Sequence, residues 1–143
     1  YALLMDVFAT LGELYLPNVA NSAEMNDIHQ RLSGEDAFNR ALDYLNKNYA
    51  ENITLDVLAD YAGFSRYTLS RMFSRHTGAT FIQYLNARRV DMAAEMLSQS
   101  DLPVTQVALR VGFGSIATFN RVFRTQKGCT PSQYRNVYLE LKK

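Results

Sequence analysis

The sequence repeats itself, and that repeat limits the fold more than any single motif does. Leu55-Asp56-Val57-Leu58-Ala59-Asp60-Tyr61-Ala62-Gly63-Phe64, followed by Leu69-Ser70-Arg71-Met72-Phe73, returns as Val104-Thr105-Gln106-Val107-Ala108-Leu109-Arg110-Val111-Gly112-Phe113, followed by Phe119-Asn120-Arg121-Val122-Phe123. A shift of 49 aligns Leu58 with Val107, Ala59 with Ala108 and Gly63-Phe64 with Gly112-Phe113. Gly114 is then an extra residue, and at a shift of 50 Leu69, Arg71, Phe73, Gly78, Thr80, Gln83 and Tyr84 meet Phe119, Arg121, Phe123, Gly128, Thr130, Gln133 and Tyr134. Two copies are too few for a solenoid, which needs at least about three repeats to bury its faces. The pattern therefore predicts a small helical unit that has been duplicated.

Each copy reads as two short helices around a glycine turn. Thr54 is placed to cap a helix running to Ala62, with Ile53 as a hydrophobic staple, and Gly63 ends it as a left-handed C-cap. Ser65 caps the next helix, whose Leu69, Met72 and Phe73 point inward while Arg66, Tyr67, Ser70, Arg71, Arg75 and His76 occupy the remaining surface; Gly78 stops it. This is a helix-turn-helix over 54–78. In the second copy, over 103–128, Pro103 opens the first helix, Gly112 ends it, Ser115 caps the next and Gly128 closes it. Between the copies, Thr80 and Gln83 form a capping box for a long helix to about Ser98, with Phe81, Tyr84, Leu85, Ala93, Met96 and Leu97 as its apolar positions. Thr130-Pro131-Ser132-Gln133 starts a terminal helix carrying Tyr134, Val137, Tyr138 and Leu141. No alternating strand pattern competes, so the fold class expected is all-α.

Upstream, residues 2–16 place Leu4, Val7, Phe8, Leu11, Leu14 and Tyr15 on one face of an amphipathic helix. Pro17 to Gly34 reads as a linker and Glu35–Tyr49 as a further helix carrying Phe38, Leu42 and Leu45. The chain begins at Tyr1 without an initiator Met. The first helix is thus expected to pack on an absent upstream domain or, alternatively, to pair with its copy in a homodimer.

Charge is segregated along the chain. Residues 1–34 sum to −3, residues 35–64 to −4 and residues 65–143 to +8, and nine of the twelve basic side chains in that last stretch are Arg. A clustered arginine excess is the footprint of a phosphate-binding face, against the plainer alternative of solvated helix surfaces. The second helix of each helix-turn-helix is the element that enters a DNA major groove. On the first, Tyr67, Ser70 and Arg71 are candidates for base edges, and Ser65, Arg66, Thr68 and Arg75 lie near the backbone. On the second, the base-facing candidates are Ile116, Ala117, Asn120 and Arg121, with Ser115, Thr118 and Arg124 near phosphates. Arg71 and Arg121, matched in both copies, have a structural alternative in a salt bridge. Ile116 and Ala117 cannot donate hydrogen bonds and suit thymine methyls, so the first unit is expected to discriminate more strongly. The linking helix, about 18 residues at 1.5 Å each, spans roughly 27 Å against about 34 Å for one turn of B-DNA.

The pairing of Gly63-Phe64-Ser65 with Leu69-Ser70-Arg71-Met72-Phe73, and of Gly112-Phe113-Gly114-Ser115 with Phe119-Asn120-Arg121-Val122-Phe123-Arg124, closes with Gly128-Cys129-Thr130-Pro131-Ser132-Gln133-Tyr134-Arg135. Over about residues 36–136 this resembles the DNA-binding domain of AraC/XylS-type bacterial transcription regulators. The resemblance implies two helix-turn-helix subdomains joined by a long helix within a domain taken here as 35–143. It implies double-stranded DNA and RNA polymerase as partners, and promoter activation or, in some members, repression, under an N-terminal regulatory domain that senses a small-molecule effector and of which residues 1–34 are the tail. It implies DNA contacts at Tyr67, Ser70, Arg71, Ile116, Ala117 and Arg121.

Other classes fit less well. His29 and His76 are the only histidines, and there is no Cys-His metal spacing, glycine-rich phosphate loop or nucleophile motif, so neither an enzyme nor a cofactor or metal is expected. Cys129 is the single cysteine and reads as a small residue in a tight connection rather than a reactive thiol. No apolar run reaches the roughly 20 residues of a membrane span, and no signal peptide is present, which points to a cytoplasmic protein with no membrane partner. A helical protein-interaction module without DNA binding is the alternative that remains.

Overall fold

The computed structural model describes residues 22–142, which contain seven α-helices and no strand. They are α1 (Ser22–Lys47), α2 (Leu55–Ala62), α3 (Arg66–Thr77), α4 (Phe81–Gln99), α5 (Val104–Arg110), α6 (Ile116–Lys127) and α7 (Pro131–Leu141). The all-α class and the two helix-turn-helix units, α2–α3 and α5–α6, follow the sequence reading. The amphipathic helix expected at 2–16 lies outside the described residues.

The chain divides into two compact units between Asp36 and Ala37. In the first, the stretch Ser22–Gly34, read from sequence as linker, is helical. Its polarity conceals good helix formers such as Ala23, Glu24, Met25, Gln30, Arg31 and Leu32. Asp27 and Arg31, one turn apart, form an ion pair of 2.7 Å. A Cβ added at Gly34 would meet nothing, so that glycine marks no close contact.

In the second unit two separate cores are strung on α4. The first gathers Phe38, Ala41 and Leu45 of α1, Ile53, Leu58, Ala59 and Ala62 around α2, Leu69 and Phe73 of α3, and Phe81 and Leu85 from the first turns of α4. The second takes Val90, Ala93, Ala94 and Leu97 from the rest of α4, with Val107, Ala108, Val111, Phe113, Phe119, Val122 and Phe123. Aromatic rings knit each core: Phe73 meets Phe38 edge-on at 5.2 Å, and Phe119 meets Phe113 at 5.2 Å. Tyr49 alone among the partly buried hydrophobics packs against both.

The predicted serine and threonine start signals hold, whereas Pro103, expected in the first turn of α5, stands at its N-cap. Thr54 Oγ1 accepts from the Val57 amide, and Ile53 and Leu58 are buried together as the staple requires. Thr80 with Gln83 and Thr130 with Gln133 form complete capping boxes. The terminal helix differs from its pattern. Tyr134 joins the second core and stacks near Tyr138, but Val137 and Leu141 are exposed. Beside the packing of Tyr134 and the buried Pro131, a polar clamp ties α7 down: Arg135 Nε donates to the Leu97 carbonyl at 3.1 Å and its Nη2 to the Leu102 carbonyl at 2.6 Å.

The matched glycines of the repeat are not equivalent. Both need positive φ, 78° at Gly63 and 103° at Gly112, but a Cβ at Gly63 meets nothing while one at Gly112 lies 2.9 Å from the Ala50 carbonyl oxygen. Gly63→Ala is expected to cost about 1–2 kcal/mol, the left-handed penalty alone. Gly112→Ala should cost more than that in the same thermal or denaturant unfolding measurement, because backbone must also shift.

Candidate nucleic-acid interface

The two helix-turn-helix turns are built by one device. At Gly63 the helix stops, the Phe64 amide donates back to the Ala59 carbonyl at 2.9 Å, and Ser65 restarts the chain as α3 by accepting from the Thr68 amide. In the second copy the Phe113 amide donates to the Ala108 carbonyl at 3.0 Å, and Ser115 accepts from the Thr118 amide. The six-to-one bond is that of a Schellman turn. Leu69 and Phe73, like Phe119 and Phe123, anchor one face of each second helix in its core, which leaves the opposite face outward.

On α3 the outward face presents Arg66, Tyr67, Thr68, Ser70, Arg71 and Arg75, all exposed. Tyr67 is 70% exposed, and the Arg71 guanidinium lies over its ring at 5.5 Å. Arg71 and Arg121 enter no ion pair among the described residues. Arg66 faces Asp56 at 3.7 Å with both side chains open to solvent. An exposed pair of that length is weakly coupled, and Arg66 can leave it. His76, though exposed, stacks on Phe38 at 5.0 Å and belongs to the packing of its subdomain.

On α6 the outward residues are Ile116, Ala117, Asn120, Arg121 and Arg124; Thr118 is half-buried. Ile116, Asn120, Arg121 and Arg124 line a shallow groove closed by the first turns of α5 and α7. Lys127 is tied to Asp91 of α4 at 3.0 Å. The central helix has 19 residues, about 28 Å at the ordinary helical rise.

Three of the nine arginines in the basic half do structural work that the sequence did not reveal. Arg135 clamps α7 as described. Arg89 Nε donates to the Tyr49 carbonyl at 2.7 Å and its Nη2 to the Glu51 carbonyl at 2.9 Å, and its guanidinium sits over Phe113 at 5.8 Å. Burial lowers the Arg89 pKa. Arg88 lies over Tyr49 at 5.5 Å, with its Nε buried and unpartnered. The apolar spacing gave no sign of this, because Val90, beside them, continues the buried face of the central helix.

Paired helix-turn-helix units with matched outward helices on a shared helix define a DNA-binding domain of the helix-turn-helix class. Residues 58–136 match the family model described as a helix-turn-helix domain. The chain is similar to an uncharacterized HTH-type transcriptional regulator of Staphylococcus aureus, 33% identical over 121 residues that cover 85% of this chain and 15% of that protein. It thus spans about a sixth of that curated relative's length. Among solved structures, an AraC-type transcriptional regulator from Chromobacterium violaceum is 27% identical with a TM-score of 0.68, covering 73% of this chain and 93% of that one. The DNA-binding domain of AdpA, a global transcriptional factor solved with a target DNA, is 34% identical with a TM-score of 0.68, covering 71% of this chain and 91% of that one. The chain belongs to the AraC-type family of helix-turn-helix domains found in DNA-binding transcription regulators.

The Ser65 and Ser115 hydroxyls are engaged as the helix caps expected from the sequence, and Ser65 also donates to Thr68 Oγ1 at 2.8 Å. Ser65→Ala is expected to lower stability by about 1 kcal/mol. The base preference in a binding selection should stay unchanged.

Proposed function

We propose that this chain binds double-stranded DNA sequence-specifically, with α3 and α6 in successive major grooves on one face of the duplex, and regulates transcription, as an activator that engages RNA polymerase in the bacterial cytoplasm. The observation that carries the reading is the pair of outward recognition faces set on one helix whose length is close to one DNA turn. A single chain then reads an asymmetric site of about two turns, as many regulators do by dimerising. The AdpA domain, solved with a target DNA, is the similar structure that supports this use of the fold.

Tyr67, Ser70 and Arg71 on the first helix address base edges, and the Arg71 fork suits guanine O6 and N7. Arg66, Thr68 and Arg75 lie beside them for phosphates. On the second helix Ile116 and Ala117 address thymine methyls, while Asn120 and Arg121 supply the polar contacts and Arg124, with the half-buried Thr118, the backbone. Ser65 and Ser115 set the starts of these helices near the DNA backbone. Residues 1–34 are read as the connection to a regulatory domain that senses a small molecule, with the homodimer formed there or by that domain.

Arg71→Ala should relax base preference at one position of the selected site, a loss of about 1–3 kcal/mol against the preferred base. An unchanged sequence logo would remove Arg71 from base reading. Arg124→Ala should weaken specific and random DNA alike and reduce the slope of log affinity against log salt by about one. Wild-type affinity is expected to fall steeply with salt as phosphate contacts release counterions. Salt-insensitive binding would favour the protein-interaction module instead.

A further inference from the structure

Each core of the second unit closes on its own residues, and the two meet only along a narrow seam. α4 runs unbroken from Phe81 to Gln99, with Leu85 in the first core and Val90 in the second, so the two cores meet beside the middle of one helix. Arg89 crosses there. Its two hydrogen bonds seize the backbone of the turn Tyr49–Glu51 in the first subdomain, while its guanidinium covers Phe113 of the second. Gly112 is pressed into the same layer: a Cβ there would stand 2.9 Å from both the Ala50 carbonyl oxygen and Arg89 Nε. Gly112 and Phe113 form the turn that leads to Ser115 and the start of α6, so whatever holds this turn aims the second recognition helix.

We propose that Arg89 is a positioning residue that fixes the distance and angle between α3 and α6, and thereby the spacing of the two half-sites this chain accepts. The inference rests on the two-groove reading above. The planar guanidinium fork is what the contact requires, since it reaches two carbonyls in a fixed geometry and stacks on a ring at once; a lysine ammonium of equal charge lacks that geometry. One base pair inserted between half-sites advances the second groove by about 3.4 Å and rotates it by roughly 35°. A rigid pair of readers feels that change, and a hinged pair follows it.

The test uses the whole chain. A preferred site is selected from random DNA with the wild type, and affinities are then measured for that site, for each half alone, and for versions with one or two base pairs added or removed between the halves. The wild type should lose about tenfold or more per inserted base pair. Arg89→Ala and Arg89→Lys should bind the original site less tightly, keep single half-site affinity, and tolerate altered spacing within about threefold. In a Cys129→Ser background, spin labels at Ser74→Cys and Gln126→Cys should report a narrow distance distribution that broadens in either Arg89 variant without DNA. Arg89→Lys keeps the charge, so wild-type spacing preference and a narrow distribution in that variant would overturn the positioning role and leave a phosphate contact. The same result with Arg89→Ala would overturn it as well. A wild type that selects only one half-site would defeat the two-groove reading, and this inference with it, whatever the Arg89 variants do. Cooperative melting checks folding, and Arg89→Lys carries the test if Arg89→Ala does not fold.

Discussion

A single helix that belongs to two cores is the constraint on which the rest of this domain depends. Phe81 and Leu85 commit the start of α4 to the first subdomain, and Val90, Ala93, Ala94 and Leu97 commit its remainder to the second. Burying a large apolar side chain contributes about 1.5–3 kcal/mol, so each half of α4 is held firmly by its own partners. The unbroken helix carries one core to the other, and the groups packed beside the junction are polar or aromatic: Tyr49, Arg88 and Arg89. Each core closes by apolar packing, while the contact across the junction is a guanidinium on backbone carbonyls, the group proposed above to set the relative orientation.

Most of the architecture was legible because it is governed by local rules. Thr54, Ser65, Thr80, Ser115 and Thr130 cap helices where their spacing said they would, and Gly63, Gly78 and Gly128 end helices in the left-handed conformation that other residues avoid. The exposed faces of α3 and α6 followed from helical periodicity. What escaped were the long-range contacts. Arg89 meets Tyr49 across 40 residues and Arg135 meets Leu97 across 38, and a basic side chain in sequence carries no mark of whether it will meet phosphate or carbonyl. Ser22–Gly34 escaped for another reason. Its Met25, Ile28 and Leu32 do recur at helical spacing, but they stay exposed, and the Ser, Asn and Gly residues interspersed with them gave the stretch the composition of a linker.

The repeat itself hid a difference. Aligned glycines suggested one cause, yet Gly63 answers only to its own backbone dihedral, whereas Gly112 also makes room for Ala50 and Arg89. The second copy carries the extra Gly114 just after that crowded turn. Duplication explains the shared scaffold; docking of one copy against the other explains where the copies had to diverge.

The outward residues of α3 and α6 have a further consequence for how such a domain changes over generations. The side chains of Ser70, Asn120 and Arg121 make no hydrogen bond or ion pair among the described residues, and the Arg71 guanidinium lies over its neighbour Tyr67. The caps and turn glycines that shape these helices occupy other positions. Substitutions on the reading face therefore leave folding nearly untouched, so descendants can sample new targets one side chain at a time while the seam keeps the frame of reference constant.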